Sequence, residues 1–241
     1  ILEATRPAAI VLAGAFCNVD RCELERDTCR RVNVLGSQVV AEYAARSGGR
    51  VVLFSTDHVF DGTQESYKEA DSVRPLNAYA RTKAESEEIV REVLPGRHLV
   101  IRTAWLYGPD TARRNFILRL VDRAMAGERI RVPTDQSGSP TYTEDVARAT
   151  RFLLEHGHAG TFHATGPELM DRVSLARQVC AHFGLDEGAI VPVPTSALGQ
   201  AAPRPLCVRL DCRKIETAGV GRFRGVAAGL AVLRAWHEAP R

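Results

Sequence analysis

Three short, continuous apolar runs, separated by segments of helical character, constrain the fold of this chain more than any other feature of its sequence. Such runs are typical of strands that helices cover on both faces. A helix is predicted over residues 20–46, where apolar side chains recur at helical spacing, and Asn77 is expected to cap a second helix that ends near Val93. The three runs predict strands at residues 9–13, 50–55 and 98–103.

Shorter elements continue the alternation along the rest of the chain, which favours an α/β fold with a Rossmann-like, doubly wound parallel sheet. Prolines 192, 194, 203 and 205 and the shorter elements around them favour a smaller C-terminal lobe. We expect residues 1–130 to form the larger, Rossmann-like domain. Residues 131–241 are expected to form mainly the lobe, with some segments that return to the sheet of the larger domain. Further helices are predicted at 112–126, 144–156, 172–184 and 224–238, and short strands near 129–132, 160–163 and 190–193.

Composition decides which partners to expect. The chain has 32 basic and 29 acidic side chains, a formal net charge of +3, and this balance favours neither a nucleic acid nor an anionic membrane as a partner. No apolar run is long enough to span a bilayer. Six cysteines without C-x-x-C spacing are too sparse for a disulfide scaffold, so we expect free thiols, no metal site and a cytoplasmic protein.

Tyr79 and Lys83 are four residues apart in the helix that Asn77 is expected to cap, and this spacing places them on one helix face. An ammonium group beside a phenol favours the phenolate, so we expect Lys83 to lower the pKa of Tyr79. A tyrosine tuned in this way exchanges a proton with an alkoxide at neutral pH. The alternative is an ordinary solvated helix face.

Thr56 and Asp57 follow the second predicted strand, at the end where open α/β sheets bind their ligands. The Thr56 hydroxyl is therefore a candidate to hold the same oxygen that Tyr79 protonates. The alternative is that Thr56 begins a turn and that Asp57 only caps it.

In their order along the chain, these residues resemble the dTDP-4-dehydrorhamnose reductase family, a group of extended short-chain dehydrogenase/reductases. The similarity begins with Ser-Thr-Asp-His-Val-Phe-Asp-Gly at residues 55–62 and continues with Asn-x-Tyr-x-x-x-Lys at residues 77–83. It extends through Arg-Thr-Ala-Trp-Leu-Tyr-Gly at residues 102–108 and Asp-Gln-Ser-Gly-Ser-Pro-Thr at residues 135–141, and ends with Arg-Pro and Leu-Asp-Cys-Arg-Lys between residues 204 and 214.

The resemblance implies reduction of a nucleotide-linked 4-keto-6-deoxy sugar with NADP or NAD as cofactor. By position, Thr56 would orient the C4 carbonyl, Tyr79 would protonate the developing alkoxide, and Lys83 would hold the nicotinamide ribose. Asp57 and Trp105 would line the sugar site, although Trp105 can also be a large core residue. A homodimer is a further expectation.

The resemblance also places the segment Ala15, Phe16 and Cys17 beneath the cofactor. Family members often have a threonine where this chain has Cys17, and a thiol is the weaker hydrogen-bonding group. Asn33 would support the active site, or else bond to the backbone within its helix.

Two further residues have an open role. His58 replaces a common tyrosine and would either make activity pH-sensitive or pack as a neutral side chain. Arg204 would contact the nucleotide diphosphate or form a surface ion pair.

A glycine-rich dinucleotide-binding turn, G-x-G-x-x-G, does not occur in the sequence. By comparison with the family, the run at residues 9–13 matches the fourth strand, so about 50 N-terminal residues are expected to be missing. A truncated sequence and a natural loss both explain this, and truncation is favoured because the first residue is Ile1 and because the sheet would otherwise have an open apolar edge.

Two other functions remain open at this stage. The regulatory beta subunit of methionine adenosyltransferase is similar through residues 210–217, and such a subunit would bind a partner enzyme without turnover. A nucleotide-sugar epimerase would use the same three residues with a tightly held NAD.

Overall fold

The computed structural model describes residues 2–239. Within them the strands are β1 (Ala9–Leu12), β2 (Arg50–Thr56), β3 (His98–Thr103), β4 (Leu106–Tyr107), β5 (Ile130–Pro133), β6 (Ser137–Gly138), β7 (Thr141–Tyr142), β8 (Gly160–His163), β9 (Met170–Asp171) and β10 (Ile190–Val193). The α-helices are α1 (Leu2–Thr5), α2 (Val19–Leu24), α3 (Arg26–Arg30), α4 (Gly36–Ser47), α5 (Ala78–Val93), α6 (Phe116–Met125), α7 (Thr143–Glu155), α8 (Arg172–Phe183), α9 (Arg213–Thr217) and α10 (Val226–Glu238).

The main sheet is parallel throughout, with the strand order β1-β2-β3-β8. Its register places Thr56 beside Thr103, so the carboxyl ends of β2 and β3 meet at one edge of the sheet. Helices α4 and α5 pack on one face, against Leu53 and Val100, whereas α7 and α9 cover the other face around Val52 and Ile101. The predicted doubly wound α/β fold is confirmed.

The C-terminal lobe has a core of its own. It packs α6, α8 and α10 around the parallel pair β5 and β10, with Leu118, Val132 and Leu230 almost completely buried. Burying a side chain of this size contributes about 1.5–3 kcal/mol, so several of them are enough to hold a small lobe together. The same core includes Tyr107, while β8 rejoins the main sheet, so the division at residue 130 stays a prediction.

The single helix predicted over residues 20–46 is wrong. The chain leaves helical geometry at Glu25, where φ is −117° and ψ is 52°, and a π-helical turn, Arg31–Leu35, separates α3 from α4. Apolar periodicity did not reveal the break because it comes from tertiary packing: Cys22 and Cys29 are both buried against Ala78 of α5. A π-helical turn inside a helix is frequent at functional sites.

The other predicted elements are close to the observed ones. Asn77 caps α5 by accepting a hydrogen bond from the amide of Ala80 at 2.9 Å, as predicted. Helix α1 is a short element before β1, and Ile1 lies outside the described residues. Strand β1 forms one edge of the sheet within residues 2–239, and Val11 on it is about half exposed.

Candidate active site

The site begins where β2 ends, because Thr56 and Asp57 lie in the crevice at the carboxyl edge of the sheet. The Thr56 hydroxyl accepts a hydrogen bond from the amide of His58 at 3.2 Å and donates to the carboxylate of Asp57 at 3.1 Å. Thr56 therefore caps the short 3₁₀ turn Asp57–Val59, which agrees with the alternative prediction that Thr56 begins a turn. Thr56 caps the turn and still belongs to the site, because its hydroxyl is close enough to the Tyr79 phenol to lower the pKa of Tyr79.

Helix α5 brings Tyr79 and Lys83 to the same edge. The cap at Asn77 fixes the first turn, so Tyr79 is presented at the helix N-terminus and Lys83 follows one turn later. The ring of Tyr79 lies edge-on to that of His58, with 6.2 Å between centroids. The structure thus brings together the three residues proposed from the sequence.

The prediction of a lowered pKa for Tyr79 is wrong for this structure. Burial is the largest influence, and it raises the pKa of Tyr79 above its ordinary value of 10.0. The neighbouring Cys17 and Asp57 raise it further, and a hydrogen bond with Thr56 acts in the opposite direction. The phenol is therefore protonated at neutral pH and is ready to donate its proton.

Lys83 is only 4% exposed, and burial lowers its pKa from 10.5 to about 8. Glu87, one turn further along α5, acts in the opposite direction, but its carboxylate already forms a buried ion pair with Arg102 at 2.6 Å. Glu87 is used by Arg102, and within residues 2–239 the Lys83 ammonium has no side-chain hydrogen bond or ion pair. A ribose hydroxyl would satisfy this ammonium, so the corner beside Tyr79 fits the nicotinamide end of a dinucleotide.

Asn33, in the π-helical turn, fastens the segment after β1 to α5. Its side-chain oxygen accepts from the amide of Phe16 at 2.8 Å, and its amide nitrogen donates to the Phe16 carbonyl at 3.1 Å and to the Thr82 hydroxyl at 3.0 Å. The side chain therefore supports the site across three segments, rather than bonding only within its own helix. We call Phe16, Asn33, Thr56, Tyr79 and Lys83 the catalytic corner.

Of the residues predicted to lie beneath the cofactor, Cys17 is exposed, and Ala15 and Phe16 are partly exposed. Cys17 is near enough to Tyr79 and Lys83 to affect the pKa of each. The segment thus borders the catalytic corner, and its role in cofactor binding stays a prediction. All six cysteines of the chain are free thiols.

For His58 and Arg204 the structure agrees with the simpler of the two predicted roles, a neutral packed side chain and an ion pair, respectively. Burial lowers the pKa of His58, so the ring is neutral, and its Nδ1 atom is buried without a hydrogen-bond partner. Arg204 forms a two-pronged ion pair with Asp20, with distances of 3.0 and 2.8 Å. This pair holds the segment around Ala202 to α2, because Asp20 also accepts from the amide of Ala202 at 3.0 Å.

Trp105 follows β3 in a strained backbone conformation, with φ at 42°. Such left-handed geometry costs about 1–3 kcal/mol in a non-glycine residue and persists where the surrounding structure holds it in place. Gly138 leaves room for the indole, since a Cβ atom there would overlap with it. On the ring lies the guanidinium of Arg172, with 3.4 Å between Cζ and the ring centroid.

Sequence reasoning missed Arg172 and Arg119, which line a cavity of about 200 Å³ together with Trp105 and Phe116. We call these four residues the arginine cavity. Trp105 belongs to the motif at residues 102–108, but the other three belong to none of the quoted motifs, because they come from α6 and α8. The Thr103 hydroxyl was missed too; it is buried beside Thr56 without a hydrogen-bond partner.

Comparison with known proteins gives the family. A model of the RmlD substrate binding domain matches residues 1–234, nearly the whole chain. The chain belongs to the RmlD substrate-binding family. The resemblance to dTDP-4-dehydrorhamnose reductases stated from the sequence is thereby confirmed.

Two curated relatives of this RmlD-family chain carry names of sugar metabolism. A spore coat polysaccharide biosynthesis protein, SpsK of Bacillus subtilis, is 35% identical over 216 residues, which cover 89% of this chain and 75% of that protein. A dTDP-4-keto-6-deoxy-D-glucose reductase of Streptomyces niveus is 33% identical, covering 99% and 79%. Methionine adenosyltransferase 2 subunit beta of Pongo abelii is 32% identical, covering 92% and 68%.

Solved structures of two RmlD-family reductases agree with the fold. A dTDP-4-dehydrorhamnose reductase of Clostridium acetobutylicum superposes with a TM-score of 0.91 at 28% identity, covering 99% of this chain and 84% of that one. The enzyme of Bacillus anthracis, solved in complex with NADP, gives the same score and identity over 98% and 83%.

Neither a cluster of metal-ligating side chains nor a membrane-spanning helix is found in the described part of the chain. Among residues 2–239, no three His, Cys, Asp or Glu side chains are grouped so that they could hold a metal ion. None of the described helices combines the length and the apolar character needed to cross a membrane.

Proposed function

We propose that this protein reduces the C4 carbonyl of a nucleotide-linked 4-keto-6-deoxy sugar, with NADPH or NADH as the reductant. The observation that carries the proposal is the meeting of Thr56, Tyr79 and Lys83 at the carboxyl edge of a parallel sheet. The names of the reductase relatives and the NADP-bound neighbour support it.

The bound nicotinamide cofactor would supply the hydride. Thr56 orients the carbonyl, because its hydroxyl is positioned beside the Tyr79 phenol. Tyr79 donates its proton to the oxygen as charge develops there, and its raised pKa keeps that proton in place at neutral pH until then. Lys83 holds the ribose with an ammonium that is still largely protonated at pH 7.

Asp57 and Trp105 complete the proposed sugar site on the side of the C-terminal lobe. Asp57 is 5% exposed and already accepts from Thr56, so a sugar hydroxyl would meet a pre-oriented carboxylate. In this proposal residues 1–130 bind the dinucleotide and carry the chemistry, and residues 131–241 mainly bind the substrate. Ala15, Phe16 and Cys17 would contact the cofactor.

The decisive test is Tyr79→Phe, assayed with NADPH and a dTDP-linked 4-keto-6-deoxy sugar. Loss of a positioned acid lowers kcat by about 10²–10⁴-fold. The matched control is Tyr43→Phe, whose hydroxyl donates to the Leu2 carbonyl at 2.8 Å and serves no proposed chemistry. Near-normal turnover in a folded Tyr79→Phe protein would overturn the assignment.

A regulatory role is a second candidate, because a methionine adenosyltransferase beta subunit is among the relatives. In that case the purified protein would form a complex with a methionine adenosyltransferase catalytic subunit and would not turn over the keto sugar. An epimerase is distinguished by its product, which has an unchanged redox state, and by an NAD that survives gel filtration.

We also propose a cytoplasmic location and a homodimer. Six free thiols fit a reducing compartment. Neither a nucleic acid nor a membrane is proposed as a partner. Light scattering of the purified protein tests the homodimer: a mass of 26.4 kDa would show a monomer instead.

A further inference from the structure

The arginine cavity contains a cation that no carboxylate neutralises by contact. Arg172 lies with its guanidinium over Trp105 at 3.4 Å and over Phe116 at 4.7 Å, measured from Cζ to each ring centroid. Across residues 2–239, no ion pair and no side-chain hydrogen bond is found for Arg172 or for Arg119. Two stacked rings hold the guanidinium in a fixed place without using its hydrogen-bond donors.

The positive charge of Arg172 is only partly compensated by the charged groups around it. Burial lowers the pKa of Arg172 from 12.5 to about 9, and the positive charges of Arg119 and Arg204 lower it further. Asp57 is the acidic group that opposes them. At neutral pH the guanidinium is still charged, so the cavity holds a desolvated cation for which an anionic ligand would be strongly favourable.

The position of the cavity connects this cation with the catalytic corner. Asp57 interacts electrostatically with Arg172 on one side and hydrogen-bonds to Thr56 at 3.1 Å on the other. A ligand that places a carbonyl at Thr56 and Tyr79 would therefore extend past Asp57 towards Arg172. Arg204 is less suited to an anion at this point, because both prongs of its guanidinium are used by Asp20.

We propose that Arg172, assisted by Arg119, binds the diphosphate of the nucleotide sugar and so sets the distance between the nucleotide and the reacting carbonyl. The fork of an arginine matches phosphate oxygens in a two-pronged way, and stacking on Trp105 and Phe116 fixes the direction of that fork. The proposal rests on the proposed function for the identity of the ligand. Arg172 acts in it as a binding and positioning residue, whereas the proton transfer stays with Tyr79.

The test measures binding of dTDP, by calorimetry, to the wild type, Arg172→Gln, Arg119→Gln and the control Arg177→Gln. Arg177 is exposed on the same helix as Arg172, so it matches the change in charge. We expect about a 10- to 100-fold loss of dTDP affinity in Arg172→Gln, about a threefold to tenfold loss in Arg119→Gln, and a change within about twofold in Arg177→Gln. NADPH affinity should stay unchanged in all of them, which separates the sugar nucleotide from the cofactor pyrophosphate as the source of the phosphates.

Kinetics with the keto sugar give a second readout: in Arg172→Gln the loss should fall mainly in KM, and Arg172→Lys should restore part of it through charge alone. Wild-type dTDP affinity in a folded Arg172→Gln protein overturns the inference, and so does a loss that affects NADPH instead. If Arg172→Gln does not fold, the test relies on Arg119→Gln, because Arg119 is exposed and its replacement should leave the fold intact. Equal dTDP affinities of Arg119→Gln and the control Arg177→Gln would then contradict the proposal. If dTDP binding depends on Arg172 but the wild-type protein does not reduce the keto sugar, the proposed reduction is contradicted and the proposed diphosphate site is supported.

Discussion

The catalytic corner and the arginine cavity are held together by different forces. In the corner, Asn33 alone makes three hydrogen bonds that tie the segment after β1 to α5. In the cavity, Arg172 and Trp105 are held by ring stacking and by a strained backbone. The hydrogen bonds of Asn33 thus hold the backbone of the corner without a ligand, whereas Lys83 in the corner and Arg172 in the cavity both keep a cationic group that has no side-chain hydrogen-bond partner among residues 2–239.

The largest effect is expected from Glu87→Gln, which tests the buried ion pair one helical turn beyond Lys83 of the corner. Glu87 is 1% exposed and pairs with the buried Arg102, so removal of its charge leaves a buried cation uncompensated. We expect a loss of about 3–5 kcal/mol in the free energy of unfolding, measured by urea denaturation. The matched control is Glu155→Gln, which loses an exposed pair with Arg151 and should change stability little. Equal effects of both changes would show that the buried pair beside the corner stabilises the protein no more than an exposed pair does.

A smaller effect on the free energy of unfolding is expected from the buried ammonium of Lys83, and it depends on pH. Its pKa is about 8 in the folded protein and 10.5 in the absence of burial, so between these values the unfolded chain binds more protons. Stability therefore rises with pH across that window, and the penalty is fully present below it. Lys83→Met should abolish this rise, which we expect to be on the order of 2–3 kcal/mol in denaturation curves from pH 7 to 10.5. Parallel pH dependences of the two proteins would contradict the buried, lowered pKa.

The cavity is tested by Gly138→Ala, because a Cβ atom at this position would overlap with the indole of Trp105. Displacing Trp105 also moves the surface on which Arg172 stacks, and we expect about a tenfold rise in KM for the nucleotide sugar, or about 1.4 kcal/mol. Gly36→Ala is the control, since nothing lies within 4 Å of its added Cβ. An unchanged KM in Gly138→Ala would show that the position of Trp105 does not matter to the cavity.

The smallest effect is expected outside both regions, in the pair of Asp20 with Arg204, which holds the segment around Ala202 to α2. Asp20 is partly exposed, and Arg204 and the neighbouring backbone hold its pKa below the usual range. Asp20→Asn should cost about 1 kcal/mol, measured by thermal unfolding at pH 7. Because the stabilisation belongs to the ionised carboxylate, the difference from the wild type should disappear as the pH falls through the folded-state pKa of Asp20. A cost as large as that of Glu87→Gln would contradict the expectation that a partly exposed ion pair contributes less to stability than a buried one.

Local patterns account for what could be predicted. Strands β2 and β3 and helix α5 were predicted almost to the residue, because apolar runs and a capping asparagine act over a few neighbours. The candidate triad Thr56, Tyr79 and Lys83 was predicted on helix spacing and on family resemblance. The break at Glu25 was not predicted, and for Arg204 an ion pair was one of two alternatives, without its partner Asp20, because each depends on contacts with residues far along the chain.

By itself the sequence determined the order of the elements, the class of the sheet and the pairing of Tyr79 with Lys83 on one helix face, because these follow from periodicity and short spacing. Only the tertiary structure decided that the Tyr79 phenol is protonated, that Asn33 joins Phe16 to Thr82, and that Arg172 is left without an acidic partner in contact. Burial and charge compensation depend on which distant segments pack together, and no local pattern records that packing.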